Sequence, residues 1–227
     1  INRNPDNEEK IMNVNKVGTF NLLDSLKGKS VNSFVFVSTA EVYGDNVVPF
    51  KEDMNKRPTS VYSLSKDEAE NICFDFYENS GVLITIIRPV VAYGPGQTGN
   101  MFIPSLVSSL IQGNKFEMTK GEQTRDFVYV DDVVEGMIKS SLTKGAIGEV
   151  INICSGKEHI LRKVSEIIYD LINNGKVVYD QSYRKKEQMR YFGDNSKAKR
   201  ILGWEPKIDL EEGLRRTVEW HKSQKSP

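Results

Sequence analysis

Apolar positions along the 227-residue chain fall into two kinds of run. Short continuous runs rich in Val, Ile and Phe at 33–37, 82–87, 127–130, 149–154 and 176–179 read as buried strands. Longer stretches at 7–26, 61–78, 103–112, 132–142, 161–173 and 210–221 carry helical patterns. Short loops containing Gly, Pro and Asn separate them. Strands alternating with helices predict an α/β fold with a largely parallel sheet. There is no internal repeat and no low-complexity segment, and no shift in composition marks a domain boundary.

The length allows one substantial core, or one domain with a smaller lobe. Lys and Arg total 31 and Asp and Glu total 31, a formal net charge of zero with both signs interspersed. Nothing in that balance points to a nucleic acid or a membrane surface as partner. No apolar run approaches membrane-spanning length, and no signal peptide is visible. Cys73 and Cys154 fall in apolar segments, so buried thiols in a reducing cytoplasm are expected rather than a disulfide. His159 and His221 are far apart and near no cysteine cluster, so no metal site is expected. The chain begins with Ile1, not Met, and enters a helical pattern almost at once, so upstream sequence is expected to be missing from it.

Chemistry enters with Tyr62-Ser63-Leu64-Ser65-Lys66, which places a phenol and an ammonium one helical turn apart on the same face. A free Tyr has a pKa of about 10 and is almost wholly protonated at neutral pH. Each cation within about 4–6 Å lowers such a pKa by roughly 1–3, and Lys66 is one candidate cation. Of the nine tyrosines only Tyr62 has Lys four residues on, yet roughly one such match arises by chance. The neighbours of the pair must decide.

Gly94-Pro95-Gly96-Gln97-Thr98-Gly99 matches G-x-G-x-x-G literally. It reads better as a loop between lobes than as a dinucleotide fingerprint. Five residues separate it from Arg88, where the preceding strand is expected to end, and the fingerprint needs its first Gly directly after the strand. Pro95 also removes an N–H from a loop that would present such groups to phosphate. By contrast, the strand run Phe34-Val35-Phe36-Val37 ends in Ser38-Thr39-Ala40-Glu41-Val42-Tyr43-Gly44. Residues at the C-terminal end of a parallel strand face the ligand crevice, so Thr39 is placed to share a substrate oxygen with Tyr62.

An ordered series of motifs now resembles the extended short-chain dehydrogenase/reductases, in the NAD-dependent nucleotide-sugar epimerase/dehydratase family (UDP-glucose 4-epimerase-like). Asn15-Lys16-Val17-Gly18-Thr19 resembles its N-x-x-G-T helix motif, and 38–44 its post-strand Ser/Thr motif. Tyr62 to Lys66 resembles its Y-x-x-x-K, and Arg88-Pro89 with Tyr93-Gly94-Pro95-Gly96 its entry to the substrate lobe. Arg125-Asp126-Phe127-Val128-Tyr129-Val130-Asp131-Asp132 resembles a substrate-binding strand. Ser196-Lys197-Ala198 with Leu202-Gly203-Trp204-Glu205-Pro206 resembles the C-terminal signature. Six motifs in the right order, spread over nearly the whole chain, carry the resemblance.

The resemblance implies a Rossmann-type parallel sheet, of which this chain holds the C-terminal part, with a smaller α/β substrate lobe. Residues 1–92 would be a partial NAD-binding domain to which 126–154 return; 93–125 and 155–227 would mainly form the lobe. It implies Tyr62 as acid/base, Lys66 as the residue that holds the nicotinamide ribose and lowers the Tyr62 pKa, and Thr39 as the partner of the reacting hydroxyl. Asn15, Ser38, Pro89 and Val90 would lie at the cofactor; since Pro89 has no N–H, a carboxamide donor there must be Val90. Thr39, Glu41, Asn100, Arg125 and Arg184 would meet a nucleotide-diphosphate sugar, whose phosphates suit guanidinium forks. NAD is the implied cofactor, with NADP an alternative, and a cytoplasmic homodimer packed partly through the Tyr62 helix is the implied assembly.

Four departures qualify the resemblance. Arg184-Lys185-Lys186-Glu187 stands where R-P-G-D is usual, and also reads as a solvated charge run. Val90 or Val91 stands where relatives often carry a substrate-contacting Asn. Ala40 replaces the acid beside Thr in many 4,6-dehydratases, which favours epimerase or ketoreductase, although Glu41 is retained. The family's G-x-x-G-x-x-G turn and ribose-reading acid belong roughly 60–90 residues upstream of the Asn15 helix and are not in this sequence. The expectation is an enzyme segment of a 4-epimerase acting through a transient 4-keto sugar. A 4-keto-6-deoxy-sugar reductase, a 4,6-dehydratase, and a non-catalytic relative serving in binding or assembly are the alternatives.

Overall fold

The computed structural model describes residues 7–224, so Ile1 and the upstream sequence inferred from it lie outside the described residues. The strands are β1 (Phe34–Val37), β2 (Ile84–Pro89), β3 (Val91–Tyr93), β4 (Lys115–Glu117), β5 (Thr124–Arg125), β6 (Phe127–Tyr129), β7 (Val150–Ile153), β8 (His159–Ile160) and β9 (Lys176–Val178). The helices are α1 (Glu8–Met12), α2 (Gly18–Leu26), α3 (Val61–Ser80), α4 (Phe102–Ile111), α5 (Val130–Leu142), α6 (Leu161–Ile172), α7 (Ser196–Leu202) and α8 (Leu210–Ser223).

The three strongest strand runs become one parallel sheet in the order β1-β2-β7, with Phe34 opposite Ile84 and Ile86 opposite Val150. Both faces are covered, which is why these runs are continuously apolar rather than alternating. Phe36, Ile84 and Ile86 pack with Leu23 of α2 and Ala69, Cys73 and Phe76 of α3. The opposite side, with Ile87, Ile151 and Ile153 at its centre, packs against Val133 of α5 and Ala198 and Leu202 of α7. A second core joins Tyr93, Phe127 and Tyr129 to α4, α6 and α8, with parallel pairs β3–β6 and β4–β9 beside it. The β5–β8 pair is antiparallel, setting Arg125 opposite His159.

The 7–26 pattern is not one regular helix: a π-helical turn, Asn13–Val17, separates α1 from α2. Four strands that the pattern does not predict, β3, β4, β5 and β8, are only two or three residues long, too short to show a period. The C-terminal signature is a buried tie. Trp204 Nε1 donates to Asp132 O at 2.9 Å, and the Asp132 carboxylate accepts from Lys207 N (3.1 Å) and Ile208 N (3.0 Å).

The glycine loop needs a correction. β3 ends at Tyr93, so Gly94 does follow a strand directly, contrary to the spacing argument from Arg88. The loop is nevertheless not shaped for phosphate. At φ 156° Gly94 sits so close to Val130 that a Cβ would lie 2.6 Å from its Cγ1. Gln97 closes the turn, its N–H on Gly94 O (3.3 Å) and its amide on Ala92 O (3.0 Å). Among the described residues no helix is long and apolar enough to cross a membrane, and no group of three or more His, Cys, Asp or Glu is placed to hold a metal ion.

Candidate active site

α3 starts on a reciprocal cap: Ser60 Oγ accepts from Ser63 N (3.1 Å) and Ser63 Oγ accepts from Ser60 N (3.0 Å). Two orphan N–H groups of the first turn are thereby satisfied, which fixes where Tyr62 leaves the helix. Thr39, two residues past the end of β1, is extended, and its hydroxyl accepts from Glu41 N at 3.2 Å, capping the 3-10 turn Ala40–Tyr43. The two elements bring the Thr39 hydroxyl close enough to the Tyr62 phenol to act on its pKa. Burial raises the phenol's pKa and the negative charge of Glu41 raises it further, while the Thr39 hydroxyl pulls it back.

Lys66 departs from expectation. Its ammonium donates to Val37 O at 3.0 Å and lies 5.1 Å from the centre of the Phe36 ring. The groups that set the phenol are burial, Glu41 and Thr39, and Lys66 is not among them. In this chain the Tyr62 pKa is raised, not lowered. Burial lowers the pKa of Lys66 itself, against the support of Cys73 and Glu70.

Beneath the pair lies a buried polar network that sequence reasoning missed. Ser38 Oγ donates to Glu70 Oε1 (2.5 Å), so the Ser38 hydroxyl points into α3. Arg88 donates to both oxygens of Glu70, Nε to Oε1 (2.9 Å) and Nη2 to Oε2 (2.7 Å), and Nη1 to Tyr43 OH (2.9 Å). Tyr43 OH donates to Asn152 Oδ1 (2.7 Å), and Lys56 Nζ reaches Glu70 Oε2 at 3.2 Å. Burial opposes the Glu70 carboxylate, but the bonds and charge of Arg88, with Ser38 and Lys56, hold its pKa below the usual range. Burial pushes the Tyr43 phenol up to about 12. The available signal was an Arg closing an apolar strand run and an acid one turn beyond Lys66.

Asn15, in the π-helical turn, donates to Ser65 Oγ (3.0 Å), which in turn donates to Tyr62 O (2.8 Å). Val90 N–H is not available as a carboxamide donor, because it donates to Ile153 O at 3.2 Å, and Pro89 is itself paired with Ile153 in the sheet. On the lobe side Arg125 donates to Thr124 O (2.7 Å), Gln188 O (2.9 Å) and Glu187 Oε1 (3.1 Å). Arg184 is exposed, yet near enough for its charge to act on Arg125. Buried Tyr191 joins the two sides, since its phenol feels Glu41 and Tyr62 from one and Arg125 and Asp126 from the other. Gln188 Nε2 adds a bond to Gly44 O at 2.7 Å. Asn100 is exposed in the loop leading into α4, and none of these contacts reaches it.

Thr39, Glu41 and Tyr62 lie together just past the C-terminal end of β1, the position where open α/β sheets bind ligands. A family described as GDP-mannose 4,6 dehydratase matches residues 1–217. The chain belongs to this family. Its relatives are the NAD-dependent nucleotide-sugar epimerases and dehydratases of the short-chain dehydrogenase/reductase type. UDP-glucuronate 4-epimerase of Thermodesulfobacterium geofontis is 34% identical over 211 residues, covering 92% of this chain and 65% of that protein. GDP-6-deoxy-D-mannose reductase of Pseudomonas aeruginosa is 30% identical over 218 residues, covering 91% and 71%. The crystal structure of UDP-glucuronic acid 4-epimerase from Bacillus cereus with UDP-glucuronic acid and NAD aligns with a TM-score of 0.86 at 28% identity, over 92% of this chain and 68% of that one. The chain thus spans less than two thirds of the first of these relatives, and its sheet is a Rossmann-type sheet.

Proposed function

We propose that the protein carrying this chain is an NAD-dependent nucleotide-sugar epimerase of the 4-epimerase type, working through a transient 4-keto sugar. The observation that carries the reading is the Thr39 hydroxyl near the Tyr62 phenol just past the end of β1, with Lys66 on the same face of α3. The nicotinamide end of a dinucleotide fits these residues: an ammonium has three protons, and Val37 O takes one, leaving Lys66 able to hold ribose hydroxyls. No described loop offers a comparable cradle for the pyrophosphate. NAD, when bound, supplies the hydride acceptor and donor; NADP fills the same role in the alternative reading.

The chain's own residues do the proton work. As phenolate, Tyr62 would take the proton of the sugar 4-hydroxyl while C4 gives up hydride, with Thr39 holding that oxygen in line. Because burial and Glu41 raise the phenol's pKa, the cation of bound NAD would have to supply the opposing shift. On the return step Tyr62 gives the proton back to the 4-oxygen. Arg125, with Arg184 near it, suits the diphosphate of the substrate. Replacing Tyr62 by Phe is expected to lower turnover about 10²–10⁴-fold while leaving nucleotide-sugar binding intact. Steady-state kinetics with parallel calorimetric binding measures both, and unchanged turnover sinks the assigned role.

Glu41 supports a second reading. Its charge acts on the Tyr62 phenol, so a carboxylate is near enough to be the base for the ketone the first step would create. Such a base abstracts the C5 proton, the step that leads to 4,6-dehydration. Deuterium incorporated at C5 from heavy water marks dehydration; its absence with an inverted C4 marks epimerisation, and stoichiometric consumption of NADPH marks a ketoreductase. The reading also implies a cytoplasmic homodimer. Exposed Val14, Val17 and Leu64 on α3 and the segment packed beside it offer apolar surface for the partner. Sedimentation of the intact protein is expected to give a dimer that Leu64→Arg weakens.

A further inference from the structure

Tyr62 and Lys66 are two members of a row of three. Glu70 follows at the same spacing, so the i, i+4, i+8 positions of α3 present one face toward the end of β1. Glu70 is fully buried, and its carboxylate binds one flank of Thr39 directly and reaches the other through Arg88. On one side Ser38, the residue before Thr39, donates to Oε1 at 2.5 Å. On the other, Tyr43 closes the turn that starts at Thr39, and its hydroxyl is held by Arg88 Nη1 at 2.9 Å. The remaining two nitrogens of that guanidinium grip Glu70 at 2.9 and 2.7 Å. The turn between the flanks is fastened to Thr39 itself, through Glu41 N to Thr39 Oγ1 (3.2 Å) and Val42 N to Thr39 O (3.4 Å).

We propose that Glu70, acting with Arg88, is a positioning residue that clamps the Thr39 turn to the helix bearing Tyr62 and so sets the alignment of the two hydroxyls. The proposal rests on the acid/base reading above. Its physical basis is geometric. A fork of guanidinium nitrogens meets a carboxylate in one plane and one orientation, so the pair fixes direction as well as distance. Burying such a pair is a poor way to gain stability, because apolar residues of similar volume do as well or better. At this position, under the one strand end that carries the candidate site, its use is specification of a single arrangement. Lys56, 3.2 Å from Glu70 Oε2, keeps the carboxylate charged without touching the turn.

The test separates positioning from bulk stability. In the intact protein Glu70→Met and Arg88→Met are introduced together, which removes the clamp without stranding a buried charge. The unfolding midpoint is expected to stay near that of the wild type. Amide exchange at Glu41, Val42 and Gly44 is expected to rise about tenfold or more, while exchange at β2 is unchanged. Turnover is expected to fall about 10–100-fold with KM little altered. Tyr43→Phe, which cuts the link on one flank and keeps the ion pair, serves as second variant if the double one does not fold, with a smaller change in the same direction. A turn as protected as in the wild type, a turn and β2 that loosen in step, or a loosened turn with unchanged turnover each overturns the proposal. Exchange needs no catalysis, so a wild-type protein without turnover would refute the functional reading while the clamp is still decided.

Discussion

Tyr62 shows how little a residue pair fixes without its surroundings. The spacing to Lys66 is a property of the sequence, but the sign of the phenol's shift is set by burial and by Glu41, residues away on another element. Asp126 makes the same point in measurable form. It accepts from Ser155 N (2.9 Å), Ser155 Oγ (2.5 Å), Gly156 N (3.0 Å) and Gly193 N (3.3 Å), yet burial outweighs these bonds and pushes its pKa from 3.8 up to about 6. A carboxyl raised on folding stabilises in its protonated form. Its contribution is complete below about pH 4 and is lost as the pH rises through about 6. The unfolding free energy of the wild type relative to Asp126→Asn is therefore expected to fall between those limits; a flat difference across them contradicts the assignment.

At the scale of elements, the site depends on two termini, the end of β1 and the start of α3. The strand end was legible because an apolar run stops at Ser38-Thr39. The helix start was legible less directly, since Ser60 and Ser63 form their reciprocal cap with Ser in place of the usual acid at the third position. Ser60→Ala is expected to destabilise the chain by about 1 kcal/mol, and urea unfolding measures it. The π-helical turn Asn13–Val17 was not legible, because a single extra residue per turn leaves a helical pattern nearly unchanged. It is nonetheless the turn that holds Asn15, the residue linked through Ser65 to the backbone of Tyr62.

For the molecule as a whole, β1 is one of the two outer strands of its sheet, bonded to β2 alone among the described strands. Beside it Val134, Ile138 and Leu142, spaced four apart on α5, are 45, 53 and 77% exposed. The relatives are longer than this chain, which spans 65% of the T. geofontis epimerase. With the Gly94 loop closed on itself and Val90 N–H already bonded, the 227-residue chain alone is expected to bind NAD weakly. Isothermal titration that returns micromolar affinity would overturn that expectation.

The sequence by itself determined the class of fold, the strands and helices long enough to show a period, the Tyr62–Lys66 spacing and the family, because each is written in local order. Only the tertiary structure decided which groups share the site. It brought Thr39 and Glu41 near Tyr62, set one Lys66 proton on Val37 O, turned Ser38 to Glu70, occupied Val90 N–H and left Asn100 apart from these contacts. It also assembled Glu70, Arg88, Tyr43 and Asn152, which come from α3, the end of β2, a turn and β7. Such a network has no sequence signature. Its members are far apart along the chain, and a polar residue inside an apolar run does not say which partner will satisfy it.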